Sequence, residues 1–204
     1  MSEIELRPLT VEHLSREGFE PFGCLIAPEE ADSPRFNRSP GNLGFLWVQK
    51  AIQFPKQPYM CTLRYYHRGT RCEFLQKHPQ STIVLITLTG TAAVVVAPDE
   101  RDGTPAVDQA RAFLLTSGVG VVVNRGTWIR YAYPVTPYVD FAYITQRVDP
   151  ATANSTDDTI RANLGEDAGV VFDMRFSIEE GTEGYELGVG GAVTTGPERM
   201  PPWE

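Results

Sequence analysis

Histidine, cysteine and basic charge are all scarce in this chain, and each shortage closes off a class of protein. There are three histidines in 204 residues, His13, His67 and His78. They are too few and too scattered to build a histidine-rich metal centre. The three cysteines, Cys24, Cys61 and Cys72, form an odd set without regular spacing. No disulfide framework is expected from them, and they read as free thiols in a reducing compartment. Lys and Arg total 18 against 26 Asp and Glu, a net charge of -8, which leaves no basic footprint for nucleic acid. Long apolar runs are missing too. The longest, Ala92 to Pro98, has the length of a strand, far below the ~18 residues of a membrane-spanning helix. The opening M-S-E-I-E-L-R is polar, so no secretory leader is expected and a cytoplasmic location is. Without a leader, the sequons at Asn37-Arg38-Ser39 and Asn154-Ser155-Thr156 are taken as chance.

The negative charge is unevenly placed. From Arg147 onward there are twelve acids and four bases, and the residues before it hold fourteen of each. The chain is therefore expected to divide into a neutral domain over 1–148 and an acidic extension over 149–204. The extension, rich in Gly, Glu and Pro, is expected to be partly ordered or packed on a second subunit.

What is present is a succession of short alternating segments with turn signals every 8–12 residues. Residues 4–10 predict a strand, followed by a short helix starting at Thr10 with His13 on its surface. Residues 29–44 read as a loop. Strands are predicted at 45–48, 60–66, 74–78, 82–89, 92–97, 110–115, 121–124, 128–134 and 138–146, with His67 exposed in a turn near Gly69. Residues 98–109 read as a polar loop, 159–164 as a short helix and 170–176 as one more strand. No βαβ pattern appears, so the reading is an all-β barrel.

Several segments in order carry a resemblance: Phe19, Phe22 and Gly23; Asn42 and Gly44; K-H-P at 77–79; V-V-V-A-P, then R-A-F at 111–113; R-G-T-W at 125–128; and Asp140-Phe141. Together, over most of residues 7–147, they resemble the ureidoglycolate lyase family. The resemblance implies a cupin-type (double-stranded β-helix) barrel with a short N-terminal helix, C–N lyase chemistry on a small organic substrate, and pairing of subunits into a homodimer. Registered on Gly90, the four positions at which cupins place metal ligands hold Gln76, His78, Ile83 and Ile129. A divalent metal needs at least three N, O or S donors from the protein, and this set does not supply them. No metal and no cofactor are therefore expected.

Acid–base groups must then carry any chemistry. Strand alternation puts Gln76 and His78 on one face, with Ile83, Leu85 and Thr87 opposite. His78 is the candidate general base or acid, because imidazole titrates near neutral pH. Gln76 and Arg64 complete the candidate catalytic set. Asn42, Ile83, Thr87, Trp128, Ile129, Arg130, Tyr131 and Tyr133 are the candidate substrate-binding residues. Arg64 or Arg130 would clamp a carboxylate, and the tyrosines would donate to a developing oxyanion. Three readings follow: a ureidoglycolate lyase; a repurposed, cofactor-independent isomerase, dehydratase or cyclase acting on a more apolar biosynthetic substrate; and a non-catalytic ligand-binding barrel.

Overall fold

The computed structural model describes residues 4–27, 36–39, 43–46, 51–146 and 159–176. In chain order the elements are β1 (Glu5–His13), α1 (Arg16–Phe19), β2 (Gly23–Ile26), β3 (Phe36–Ser39), β4 (Leu43–Leu46), β5 (Pro58–Tyr66), β6 (Arg71–Cys72), β7 (Phe74–Lys77), β8 (Ile83–Thr89), β9 (Thr91–Ala97), β10 (Arg111–Thr116), β11 (Gly120–Val123), β12 (Trp128–Pro134), β13 (Tyr138–Gln146), β14 (Ile160–Asn163), α2 (Leu164–Asp167) and β15 (Val170–Phe176). A turn of 3-10 helix, Val107–Gln109, interrupts the predicted polar loop.

Two sheets make the molecule. One has five strands in the order β2-β11-β8-β13-β5, and the other has eight in the order β14-β7-β12-β9-β10-β1-β15-β6. The sheets face each other across an inner core that includes Ile83, Leu85, Val94, Val96, Ile129, Phe141 and the aromatic group Phe19, Phe22 and Phe113. The eight-stranded sheet also curls on itself. Strand β6 at one end and β7, next to the other end strand β14, are separated in sequence only by Glu73, and they help enclose a second core with Ala93, Val95, Trp128, Phe172 and Met174. Strand β9 therefore has no wet face: Val94 and Val96 enter the inner core, while Ala93, Val95 and Ala97 enter the outer one. That is why its sequence is an unbroken apolar run rather than an alternating one. The cupin-type barrel implied by the resemblance is present.

Gly90 makes the β8–β9 turn at φ +76°, and a Cβ there would stand 2.5 Å from the Tyr138 carbonyl oxygen. The position therefore needs glycine on two counts.

The structure corrects several boundaries. The first strand runs on to His13, so His13 lies on a strand and is exposed there. The helix begins after Ser15, whose hydroxyl accepts from Gly18 N at 3.0 Å. Thr10 fails as a cap because its segment is held by parallel pairing with β15 and β10. Residues 160–163 form strand β14 on the edge of β7 rather than helix, with helical turn α2 following. Strand β15 lies parallel to β1 across seven register pairs. Strands β14 and β15, within the stretch assigned from sequence to the extension, are strands of the larger sheet. The expected strand at 45–48 is described as Leu43–Leu46, and the Gly/Glu/Pro-rich stretch beyond 176 lies outside the described residues.

Candidate functional site

Strand β7 alternates as its sequence predicts. Leu75 points into the outer core, and Gln76 reaches into the barrel, where its Nε2 donates to the Tyr131 hydroxyl at 2.8 Å. Tyr131 and Tyr143 share a further hydrogen bond of 2.9 Å between their hydroxyls. Tyr65 meets Tyr131 edge-on, with centroids 6.3 Å apart. The result is a buried polar thread, Gln76–Tyr131–Tyr143, set in an apolar barrel and walled by Tyr65. His78 follows just beyond the strand end. It is buried, and its carbonyl accepts from Gly126 N at 2.9 Å.

Burial controls the phenols. Desolvation pushes Tyr131 well above the ordinary tyrosine value, raises Tyr143, and takes Tyr65 up to about 12. All three stay protonated at neutral pH. They can donate hydrogen bonds and cannot serve there as bases.

Ile83 and Ile129 lie fully in the inner core. Ile129 pairs with Gln76 across the β12–β7 ladder, so two of the four registered positions stand side by side. Thr87 also faces inward and is buried, and its hydroxyl makes no hydrogen bond among the described residues. Two hydrocarbon side chains, one amide and one imidazole do not fit a transition-metal centre. Among the described residues no three His, Cys, Asp or Glu side chains are grouped to hold a metal ion.

Three other predicted residues, Arg64, Trp128 and Tyr133, lie elsewhere. Arg64 is outside the barrel, because its neighbours Leu63 and Tyr65 pack against the inner core and alternation sends it outward. There it donates to both carboxylate oxygens of Asp140, at 2.7 and 2.8 Å, and lies 4.3 Å over the Tyr138 ring. Arg64 holds the Asp140 carboxyl below its usual range. Trp128 sits in the outer core, donates to Asp99, and carries the Lys77 ammonium 4.6 Å over its ring. It is a packing residue under the loop that starts at Pro98. Tyr133 does not share the interior face with Ile129 and Tyr131. The β12–β9 ladder shifts register between Arg130 and Tyr133, which reverses the parity of the strand. Asn42 lies outside the described residues.

Arg130, Tyr133 and Arg64 meet instead at a surface cleft of about 400 Å³, between the outer edge of β5 and strands β6, β7 and β12. Its other lining residues include Tyr65, Tyr66, Arg68, Arg71, Glu73 and Phe74. Tyr65 is common to the cleft wall and the interior thread. His78 is four residues along β7 from Phe74, about 13 Å at the rise of an extended strand. Apart from Trp128 in the outer core, the described members of the predicted set therefore fall into an interior group and a cleft group. Tyr65 and Tyr143 were absent from the sequence-predicted set. Plain alternation along R-Y-Y and D-F-A-Y puts both inward. Arg68 and Arg71 lie in or beside a turn, where no periodicity marks them.

A barrel with a polar thread through an apolar interior and a cationic cleft at its side is, by class, a cupin-type enzyme fold. The chain belongs to the ureidoglycolate lyase family, whose model matches residues 6–164. Members of this family are C–N lyases. The ureidoglycolate lyase of Chelativorans sp. (strain BNC1) is 27% identical over 142 residues, spanning 68% of this chain and 85% of that protein. The enzyme of Schizosaccharomyces pombe is 23% identical over 149 residues, 61% of this chain and 77% of its own length. Among solved structures, a Bacillus subtilis oxalate decarboxylase overlaps 54% of this chain and 25% of its own, with TM-score 0.36 and 15% identity. A dTDP-4-dehydrorhamnose 3,5-epimerase from Bacillus anthracis str. Ames overlaps 63% and 81%, with TM-score 0.36 and 15% identity.

Proposed function

We propose that this chain is a lyase that cleaves a C–N bond in a small organic substrate by acid–base chemistry of its own side chains, with no metal at the barrel centre. The observation that carries the proposal is the occupancy of the registered positions: Ile83 and Ile129, buried in the core, stand where donors would be needed. For ureidoglycolate the step is a carbinol elimination. A base takes the hydroxyl proton, the oxygen forms a carbonyl as the C–N bond breaks, and the leaving ureido nitrogen takes up a proton. His78 takes the role of the group that accepts and returns the proton. Gln76 and the protonated tyrosines are neutral donors that orient and stabilise developing negative charge.

Urea release from ureidoglycolate by chelator-treated protein is the direct test. Turnover is expected without added metal, and His78→Ala is expected to lower kcat by at least about 100-fold with the fold unchanged by circular dichroism. Activity that disappears on chelation and returns with one metal ion would overturn the metal-free reading. The same reading takes the protein as cytoplasmic and homodimeric. Light scattering that finds a single chain's mass would remove the second of these.

A second reading is favoured by the cleft. Its aromatic walls and guanidinium groups suit a larger substrate than ureidoglycolate, and the two isoleucines make the barrel centre apolar. On this reading the enzyme is a repurposed, cofactor-independent one serving a biosynthetic reaction, with chemistry at the cleft rather than at His78. Loss of turnover in Arg130→Ala together with full turnover in His78→Ala would select it.

A further inference from the structure

The cleft beside β5 has a charge that its own residues do not balance. Of its four arginines, Arg64 is matched by Asp140. Among the described residues neither Arg68, Arg71 nor Arg130 has an ion pair, and Glu73 is the one acid on the cleft lining. A fifth arginine adds to the field. Arg130 and Arg161 both stack on Phe74, at 4.0 and 3.7 Å from its ring centroid. Both guanidinium groups are held on the one Phe74 ring, Arg130 on the cleft lining and Arg161 beyond it. The four lining arginines stand on a stretch, residues 1–146, that holds fourteen acids and fourteen bases, so the cleft is a local concentration of positive charge. Unrelieved cations placed together cost free energy unless a counter-charge joins them.

The walls specify the rest of the ligand. Tyr65, Tyr66, Phe74 and Tyr133 give flat apolar surface, and the volume of about 400 Å³ lies in the size range of small-molecule pockets. One carboxylate on a two-carbon body would leave most of this space, and at least one positive charge, unused.

We propose that this cleft binds a small organic dianion with a flat apolar body, its two negative charges supplied by two carboxylates or by one phosphate ester. Arg130 holds one anionic end against Phe74. Arg68 and Arg71 receive the second charge at the rim, and the tyrosines pack on the body. The proposal deepens the second reading above by naming its substrate class. It is a statement about binding, so it stands or fails separately from turnover.

Calorimetric titration of the full chain with phthalate, phenyl phosphate, benzoate and inorganic phosphate tests it. Phthalate or phenyl phosphate is expected to bind at least about tenfold more tightly than benzoate, and whichever of the two does so identifies the source of the dianion. Arg68→Ala and Arg71→Ala are expected to erase that advantage and leave benzoate affinity unchanged. Both residues are exposed, so melting temperature should stay constant and separate lost binding from lost fold. Equal affinity for benzoate and the dianions, no binding of any probe, or an advantage that survives both substitutions overturns the proposal. Inorganic phosphate binding as tightly as phenyl phosphate also overturns it, because the flat body would then contribute nothing.

Discussion

Tyr131 takes part in two buried side-chain hydrogen bonds, with Gln76 and with Tyr143. Removing its hydroxyl strands an amide and a phenol at once. Tyr131→Phe is therefore expected to destabilise the fold by about 1–3 kcal/mol, measurable as a lower denaturant midpoint with unchanged slope. Ile129→Ala, which deletes buried hydrocarbon beside the same thread, is expected to cost about 2–5 kcal/mol. At this scale much of the candidate site could be read from period-two alternation alone: Gln76, Ile83, Thr87, Ile129 and Tyr131 all point inward as the strands predict. Tyr133 and Arg64 were misplaced for two different reasons. A bulge reverses β12 between Arg130 and Tyr133, and no local residue pattern announces it. Arg64 obeyed its strand's alternation, and its partner Asp140 lies on β13, a neighbour that only the fold reveals.

Elements show the opposite balance between local signal and tertiary context. Strands β5, β9, β12 and β13 were predicted to within a residue or two because their apolar faces and turn residues agree. Strand β14 was predicted as helix. Its four residues carry no decisive pattern, and their state is set by the β7 edge they pair with and by Ala162 turning into the outer core. The same dependence makes the final strand indispensable. Phe172 is wholly buried between β1 and β6, so Phe172→Ala is expected to cost about 3–5 kcal/mol, read as a large drop in thermal midpoint. A chain ending at residue 158 would expose the outer core along β1, β9 and β10, and is expected to be insoluble or to lack a cooperative unfolding transition. The loop from Pro98 is tied down by one buried cation: Lys77 donates to Asp99 at 2.6 Å and to the Gly103 carbonyl at 2.9 Å.

Across the whole molecule, one ion pair links pH to stability. Arg111 donates to both oxygens of Glu12 and to the Gly18 carbonyl, joining β10, β1 and α1. The Arg111 guanidinium lowers the Glu12 carboxyl from its ordinary value. A carboxyl with a depressed folded pKa adds stability that is complete above its unfolded value, about 4.3 for glutamate, and is lost as pH falls through the lower folded value. The difference in melting temperature between the native chain and Glu12→Gln should therefore be constant above about pH 5 and shrink as the medium is made more acid. At the alkaline end the sign reverses. Tyr65, raised to about 12 by burial, favours the folded state until pH passes the ordinary tyrosine value of about 10, and progressively disfavours it above. Absorbance at the phenolate band should show this late titration coinciding with unfolding.

The parallel pairing of β1 with β15 also has a consequence in time. Leu6 is registered with Val171 and Thr10 with Arg175, so two segments far apart along the polypeptide must meet before the larger sheet is complete. Closing so long a loop carries an entropic toll that sequence neighbours such as the antiparallel pair β9 and β10 do not face to the same degree. Barrels dominated by distant pairings fold slowly, on the order of milliseconds to seconds. During synthesis on a ribosome, β8 to β13 can associate early, while one flank of β1 stays open until residue 176 has emerged. In that interval the unpaired flank is the part of the nascent chain most open to a chaperone or to a neighbouring copy.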